Sequence, residues 1–264
     1  MNIKTFYKNK TILITGGAGS FGSSYLDYII KNNIKLKKLI IFSRDEYKQH
    51  NLQQKYPESE YSFLRFFLGD IRDRDRMISV MNGVDYVINA AALKHVYKAE
   101  YDPDEFIKTN INGVQNLISA CIKNKVKKVI TLSTDKACEP FNLYGATKLC
   151  AEKLLISANN IKGNVPIKFT VLRYGNVFNS RGSIVPKLLA NKNEKIVKIT
   201  DRKMTRFSMM MSEAIEMVNW SMINCIGREV VIPKLKSYKL VDLVKAIAPK
   251  SKIIMVGKKI GEKI

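Results

Sequence analysis

Tyr144 and Lys148 are spaced Y-x-x-x-K, which on a helix brings both side chains to one face, one turn apart. A phenol beside an ammonium is a proton carrier, because the cation favours the phenolate. Upstream, Ser133-Thr134-Asp135-Lys136 closes an apolar run and adds hydroxyls, a carboxyl and a second amine. Y-x-x-x-K by itself is common; the third group gives it context. Thr15-Gly16-Gly17-Ala18-Gly19-Ser20-Phe21-Gly22 follows the first apolar run, with Gly16, Gly19 and Gly22 spaced G-x-x-G-x-x-G. Glycine permits a tight turn and close approach of the backbone, and a helix N-terminus offers N–H groups to a pyrophosphate. The stretch Gly16, Ala18, Gly19, Ser20, Phe21 and Gly22 therefore predicts dinucleotide binding. With Lys148 and a cationic nicotinamide both favouring phenolate, Tyr144 is expected to accept a substrate hydroxyl proton as hydride leaves.

The second apolar run ends at Ser43-Arg44-Asp45-Glu46, with Lys48 just beyond. An NAD site usually places a carboxylate there for the ribose 2′-hydroxyl. Ser43 and Arg44 come first here, and a guanidinium suits a 2′-phosphate dianion. NADP is the expected cofactor, with Ser43, Arg44, Asp45 and Lys48 at its adenosine end and Asp45 keeping NAD open. Asp70 and Ile71 follow the third run and are placed for the adenine edge; Ala90 and Ala91 follow the fourth and are small enough to let the cofactor pass.

These groups need a scaffold that brings run ends together. Apolar runs at 11–15, 39–42, 64–68, 84–88, 126–132 and 168–172 alternate with helix-length patterns. That rhythm means right-handed crossovers and a parallel sheet buried on both faces. The predicted class is α/β: a doubly wound, Rossmann-like parallel sheet with a small C-terminal substrate lobe that reads as truncated. Residues 1–175 are assigned to the NADP-binding domain, with 207–232 returning to it, and 176–206 and 233–264 to the lobe. Asp102, Pro103 and Glu105 read as a capping-box-like helix start.

Composition sets further limits. No apolar run reaches the ~20 residues that cross a bilayer, and the first residues lack the apolar core of a secretory signal. A cytoplasmic protein with no membrane partner is expected. Cys121, Cys138, Cys150 and Cys225 are far apart, so free thiols and no metal are expected. The net charge is +22, from 45 basic and 23 acidic residues. Lysine dominates it and is dispersed along the chain, with its densest groups just before apolar runs. The reading is a bland basic surface around an acidic small-molecule ligand, with no nucleic acid as partner.

Together the motifs resemble an extended short-chain dehydrogenase/reductase, and more narrowly the soluble UDP-N-acetylglucosamine 4,6-dehydratases that invert C5. The matching stretches include Ile14 to Gly22, Phe42 to Glu46, Ala91 to Val96, Leu132 to Ala137, Asn142 to Leu149, Arg173 to Val177 with Ser180 to Ser183, and Met204 to Phe207. The resemblance implies that Thr134, Asp135, Lys136, Tyr144 and Lys148 form the catalytic set. Tyr144 serves C4 oxidation, Lys136 removes the C5 proton as a buried lysine made neutral by neighbouring cations, and Asp135 protonates the departing C6 hydroxyl. It further implies that Lys94 and Asn176 contact substrate or cofactor near the sugar, that Asn110 lies near the nicotinamide, and that Ile184, Thr200 and Arg206 hold the UDP. His95 is read as structural. The implied partner is a UDP-sugar, the implied product leads to a deoxyamino sugar such as pseudaminic acid, and a homo-oligomer is expected. A retaining dehydratase or epimerase on another UDP-sugar, or a non-catalytic NADP-binding remnant, are the alternatives. Two departures stand out. The family normally continues beyond Gly261-Glu262-Lys263-Ile264, and Ser208 replaces a common Trp, which is expected to loosen packing near the nucleotide.

Overall fold

Hydrophobic alternation explains the sheet. In Thr11–Thr15 (β1) Ile12 and Ile14 face one layer of helices and Leu13 the other, all fully buried. The same two-sided burial recurs in Lys38–Ser43 (β2), Tyr86–Asn89 (β4), Lys128–Thr134 (β5) and Lys168–Tyr174 (β6), while Leu64–Leu68 (β3), at the sheet edge, buries only Leu64 fully. Successive side chains point to opposite faces, so a strand buried on both sides reads as a continuous apolar run. The computed structural model describes residues 2–178, 180, 183–191, 193–257 and 261. The expectations placed on Arg181, Gly182 and 262–264 lie outside the described residues.

The smaller strands are Asn176–Val177 (β7), Ile196–Ile199 (β8), Thr205–Met209 (β9), Val230–Val231 (β10), Lys236–Lys239 (β11) and Lys252–Met255 (β12). The main sheet is parallel, in the order β10-β6-β5-β4-β1-β2-β3. Chain direction across the sheet reverses between β1 and β4, the switch point where ligands bind in such folds. The helices are Ile3–Tyr7 (α1), Ser20–Lys31 (α2), Glu46–Lys55 (α3), Arg74–Val80 (α4), Val96–Tyr101 (α5), Pro103–Ile107 (α6), Gly113–Lys123 (α7), Leu143–Ile161 (α8), Ile184–Ala190 (α9), Met211–Asn224 (α10) and Leu240–Ile247 (α11). α1, α2 and α10 cover one face of the sheet, through Tyr7, Tyr25, Leu26, Ile29, Val218 and Met222. α4, α7 and α8 cover the other, through Met77, Leu117, Cys121, Ala151 and Leu155. Leu188, Val197, Ile199, Met204, Leu240 and Val244 form a separate core in the C-terminal part. There β8 pairs with β12, and β9 pairs with β7 and β11.

Several local readings are corrected. β4 and β5 begin two residues later than their apolar runs, because Val84 and Val126 close turns: Val84 N donates to Met81 O and Val126 N to Cys121 O. Asp102 makes no side-chain cap, since it also ends α5. Glu105 pairs instead with Arg72 at 2.6 Å. The expected loosening at Ser208 is answered by Tyr238, whose hydroxyl lies 2.9 Å from Ser208 Oγ while its ring stacks on Phe178. The strands at 176–177, 196–199 and 236–239, and helix α1, had no separate sequence reading.

Candidate active site

The glycine turn sits where β1 gives way to α2. Gly16 has φ +64°, and a Cβ there would lie 2.9 Å from the Ala90 backbone. Gly19 is the N-cap of α2 and carries no side-chain cap; a Cβ there would lie 2.9 Å from the Gly16 oxygen. Gly22 faces inward instead, where a Cβ would collide with the Gly17 backbone, so it packs helix on strand. The turn borders a cavity of about 290 Å³ lined by Gly16, Ala18, Gly19, Ser43, Arg44, Asp45, Lys48, Asp70, Ile71, Ala90 and Ala91. All eleven are cofactor residues of the sequence reading. A second cavity of about 640 Å³ shares Gly16, Gly19, Lys48 and Ala90 with the first. It adds Ser20, Phe21, Lys94, Thr134, Lys136, Tyr144, Lys148 and Asn176.

Gln49, unread in the sequence, braces the Ser43 wall of the first cavity. Its buried Nε2 donates to Ser43 O, Ser43 Oγ and Phe67 O, each at 3.0 Å, tying the ends of β2 and β3 together. Arg44 is half exposed, and its guanidinium lies 3.6 Å from Asp70 Oδ2. Arg72 holds the same oxygen at 2.8 Å. Burial works to raise the Asp70 carboxyl, but the Arg72 bonds and the Arg44 charge bring it below its ordinary value. Asp45 pairs with Lys48. Arg44 and Lys48 line the first cavity together with Asp45 and Asp70, while Arg72 is also held by Glu105, so the half-exposed Arg44 is the cation placed to meet an added phosphate.

The reactive groups collect at the carboxyl ends of β5 and β6 and the start of α8. Asn142 caps α8 by accepting from Gly145 N at 2.8 Å, which sets Tyr144 in the first turn. Tyr144 is buried, and its hydroxyl is bonded to Thr134. Burial pushes the phenol up to about 12; the Thr134 bond pulls it down and the Asp135 charge adds to the rise. Lys148 Nζ donates to Leu132 O at 2.8 Å, and burial lowers its pKa to about 8 against the opposing charge of Glu152. The expected phenolate is therefore not a property of the protein alone: Lys148 turns to a backbone carbonyl, and desolvation outweighs the hydrogen bond on Tyr144.

Asp135 Oδ1 accepts from Thr134 Oγ1 at 2.9 Å and from Lys136 Nζ at 3.0 Å. Lys136 Nζ also lies 3.4 Å from Asn176 Oδ1. The expectation of a buried lysine among cations is corrected: the side chain is 31% exposed, and its partners are a carboxylate and an amide oxygen. Thr134 and Lys136 line the larger cavity, whereas Asp135 does not.

Four further predicted residues stand apart from both cavities. Asn110 Oδ1 accepts from Leu93 N, while its Nδ2 donates to Leu93 O and Thr147 Oγ1, so its amide is consumed in holding the 93 segment against α8. Ile184 packs on the C-terminal core and Thr200 follows β8. The Arg206 guanidinium folds back onto Thr205 O and Met204 Sδ, away from the cavities. His95 borders the larger cavity and precedes α5.

Sequence reasoning missed a buried support. Glu152, two turns beyond Tyr144, accepts from Ser133 Oγ and from both the Nε and a terminal nitrogen of Arg173. Its place one turn beyond Lys148 was the available signal. Thr109 was missed as well. Its hydroxyl is buried without a protein partner on the wall of the first cavity, in a π-helical turn at Lys108–Asn112.

A glycine cradle that any Cβ would fill, an orphaned hydroxyl on the same cavity wall and a half-exposed arginine fit a phosphorylated dinucleotide. Fold and turn together define an extended short-chain dehydrogenase/reductase. A family model described as "Polysaccharide biosynthesis protein" matches residues 12–264, and the chain belongs to that family. The chain is 48% identical over 260 residues to a Campylobacter jejuni protein named UDP-N-acetylglucosamine 4,6-dehydratase (inverting), covering 98% of this chain and 77% of that protein. A Rickettsia canadensis protein named UDP-glucose 4-epimerase is 39% identical over 264 residues, covering 97% and 76%. The solved structure of Pen from Bacillus thuringiensis superposes with a TM-score of 0.93 at 40% identity, covering 98% of this chain and 83% of that one.

Proposed function

We propose that this chain is an inverting UDP-N-acetylglucosamine 4,6-dehydratase working with NADP. One observation carries the reading: Tyr144, Lys148 and Lys136 line one cavity, and Asp135 stands behind that wall, 3.0 Å from the Lys136 amine. Oxidation at C4 needs one base. Loss of water needs a base at C5 and an acid at C6 as well. The sequence similarity to the Campylobacter protein supports the same reading, and Arg44 beside the first cavity supports NADP over NAD.

When bound, the nicotinamide accepts hydride from C4 and returns it to C6. Tyr144 Oη takes the C4 hydroxyl proton, held in place by Thr134 and made more acidic once a cationic ring adds to Lys148. A ketone at C4 acidifies the C5 proton, and Lys136 Nζ removes it while Asp135 protonates the departing C6 hydroxyl. As an ion pair, Lys136 and Asp135 hold their shared proton on the amine; elimination needs it on the carboxyl. Both forms carry the same number of protons, so one transfer along the 3.0 Å contact prepares the pair. Elimination then leaves the amine protonated and the carboxylate bare, which restores the ion pair. After hydride return, a solvent proton added to C5 from the opposite face would give the inverted UDP-2-acetamido-2,6-dideoxy-hexos-4-ulose, and Tyr144 would release to solvent the proton it took from the C4 hydroxyl. In this reading 1–175 with 207–232 bind the cofactor, 176–206 and 233–264 the UDP-sugar, and Lys94 and Asn176 face the sugar. Arg206, Ile184 and Thr200 contact UDP only if that lobe moves toward the cavity.

Proton NMR of the product in D₂O tests the reading, because C5 configuration and deuteration report inversion. Lys136→Met should still form bound NADPH from UDP-N-acetylglucosamine but release product about 10²–10⁴-fold more slowly. Normal turnover of that variant with full C5 exchange would remove Lys136 as the base. Interconversion of C4 epimers without loss of water would favour the epimerase reading that the Rickettsia similarity supports.

A further inference from the structure

The densest lysine groups of the first two thirds of the chain lead into strands of one parallel sheet. A parallel sheet places every strand start on the same face, so its topology gathers what the sequence scatters. The lead-ins at 8–10, 31–38, 82–85, 123–128 and 162–168 amount to 28 of the 264 residues. They hold 12 of the 45 basic side chains and one of the 23 acidic ones, Asp85; the lead-ins of the two outer strands, 56–63 and 225–229, add Glu58, Glu60, Arg228 and Glu229 at the flanks.

Backbone hydrogen bonds make this edge continuous. Lys168 N donates to Lys127 O at 3.1 Å, Lys127 N to Asp85 O at 2.9 Å and Asp85 N to Thr11 O at 2.9 Å. On the other side of β1, Lys37 N donates to Lys10 O at 2.9 Å. Five strands in a row span about 19 Å. Lys128 is turned inward, its Nζ donating to Met222 O at 2.6 Å, and Lys162 Nζ is held by Ile167 O. Lys8, Lys35, Lys37, Lys38 and Lys125 are exposed. Among these lysines, as far as the described residues go, the one ion pair is Lys127 with Asp85.

One rim of the face is apolar. α8 ends there at Ile161, 72% exposed, and the turn after α10 presents Ile226, 75% exposed. A Cβ on neighbouring Gly227 would lie 3.4 Å from Lys168 Cβ, which places that turn against the lysine edge. Trp220, the chain's single tryptophan, lies one turn before the end of α10 and is half exposed.

We infer that the amino-end face of the sheet docks on an anionic phospholipid bilayer, lysines on the headgroups and the Ile161–Trp220–Ile226 rim in the interface. Clustered lysines are drawn to anionic leaflets, and tryptophan favours the membrane–water boundary. Together the five central lead-ins carry lysine and no arginine, and Arg228 is alone at the rim, whereas nucleic-acid readers favour arginine forks. Its like charge opposes a second copy of the chain. Both cavities open at the carboxyl ends of the strands, so a docked molecule would keep its site toward the solvent from which a soluble ligand arrives. The inference is independent of the reaction assigned to that site.

The test uses the full chain with vesicles of phosphatidylcholine, with and without phosphatidylglycerol. Cosedimentation and a blue shift of Trp220 emission are expected with the anionic vesicles alone, fading as salt rises. The variant Lys35→Glu/Lys37→Glu/Lys38→Glu should weaken partitioning on the order of a hundredfold, with cofactor affinity unchanged as evidence of folding. A second variant, Lys123→Glu/Lys125→Glu, guards against a local effect and should act in the same direction. Equal binding to both vesicle types, or none to either at low salt, would overturn the inference. So would sedimentation without a Trp220 shift, or tighter retention by duplex DNA with the same sensitivity to these variants.

Discussion

Replacing Glu152 should damage the molecule twice, once in stability and once in the charge of Lys148. The Glu152 side chain is 4% exposed and that of Arg173 is 16% exposed. Breaking such a buried pair from one side costs about 3–5 kcal/mol, because the remaining charge has no solvent to turn to. Glu152→Leu strands two cations, Arg173 and Lys148, and belongs at the upper end. Arg173→Met leaves Glu152 still facing Lys148 and belongs at the lower end. The double variant Glu152→Leu/Arg173→Met replaces the pair with apolar groups of similar size and should recover much of the loss. A double-mutant cycle by urea unfolding should therefore show a coupling of at least about 2 kcal/mol. Glu152→Gln keeps the shape and removes the charge that opposes desolvation of Lys148, so the Lys148 ammonium is lost at a pH lower than about 8. The alkaline limb of NADPH formation should move the same way. A coupling below about 0.5 kcal/mol, or an unmoved alkaline limb, would refute the assignment of Glu152 as the positioning residue of this site.

Arg44→Asp should weaken NADP by roughly ten- to a hundredfold while sparing NAD, since it replaces a phosphate clamp with a repelling charge; equal losses by calorimetry would show that Arg44 does not read the phosphate. Lys148 loses its proton more readily folded than unfolded, so its penalty is full below about pH 8 and is relieved as pH rises toward 10.5. Wild type should accordingly gain on Lys148→Met by about 3 kcal/mol in total across that window, and denaturant unfolding that shows a gap independent of pH would contradict it. A Cβ on Gly145 would collide with the Lys136 carbonyl oxygen. Gly145→Ala should thus displace the base and slow product release about a hundredfold while bound NADPH still forms; parallel loss of both signals would point to general misfolding instead.

Much of the cofactor side was legible because its signals are local. A strand, a glycine turn and a helix follow one another within Thr11 to Lys31, and the small residues Ala90 and Ala91 directly follow β4. Tyr144 and Lys148 are likewise one turn of one helix. The UDP side was less legible: Ile184, Thr200 and Arg206 were placed by resemblance, and the structure leaves them off both cavity walls.

Residue order by itself determined the alternation of buried strands and helices, the turn at Gly16 to Gly22 and the grouping of proton carriers near β5 and α8. These follow from periodicity and from interactions within a few residues. Tertiary structure alone decided the partners. Glu152 meets Arg173 because α8 packs over the ends of β5 and β6, a contact across 21 residues. Lys136 faces Asn176 across 40 residues, which sets it beside an amide and a carboxylate where cations had been expected. The lysines of four separate lead-ins share one face because parallel strands all begin at the same edge. Charge, burial and proton affinity are properties of neighbours in space, and those neighbours are chosen by the packing of elements far apart in the chain.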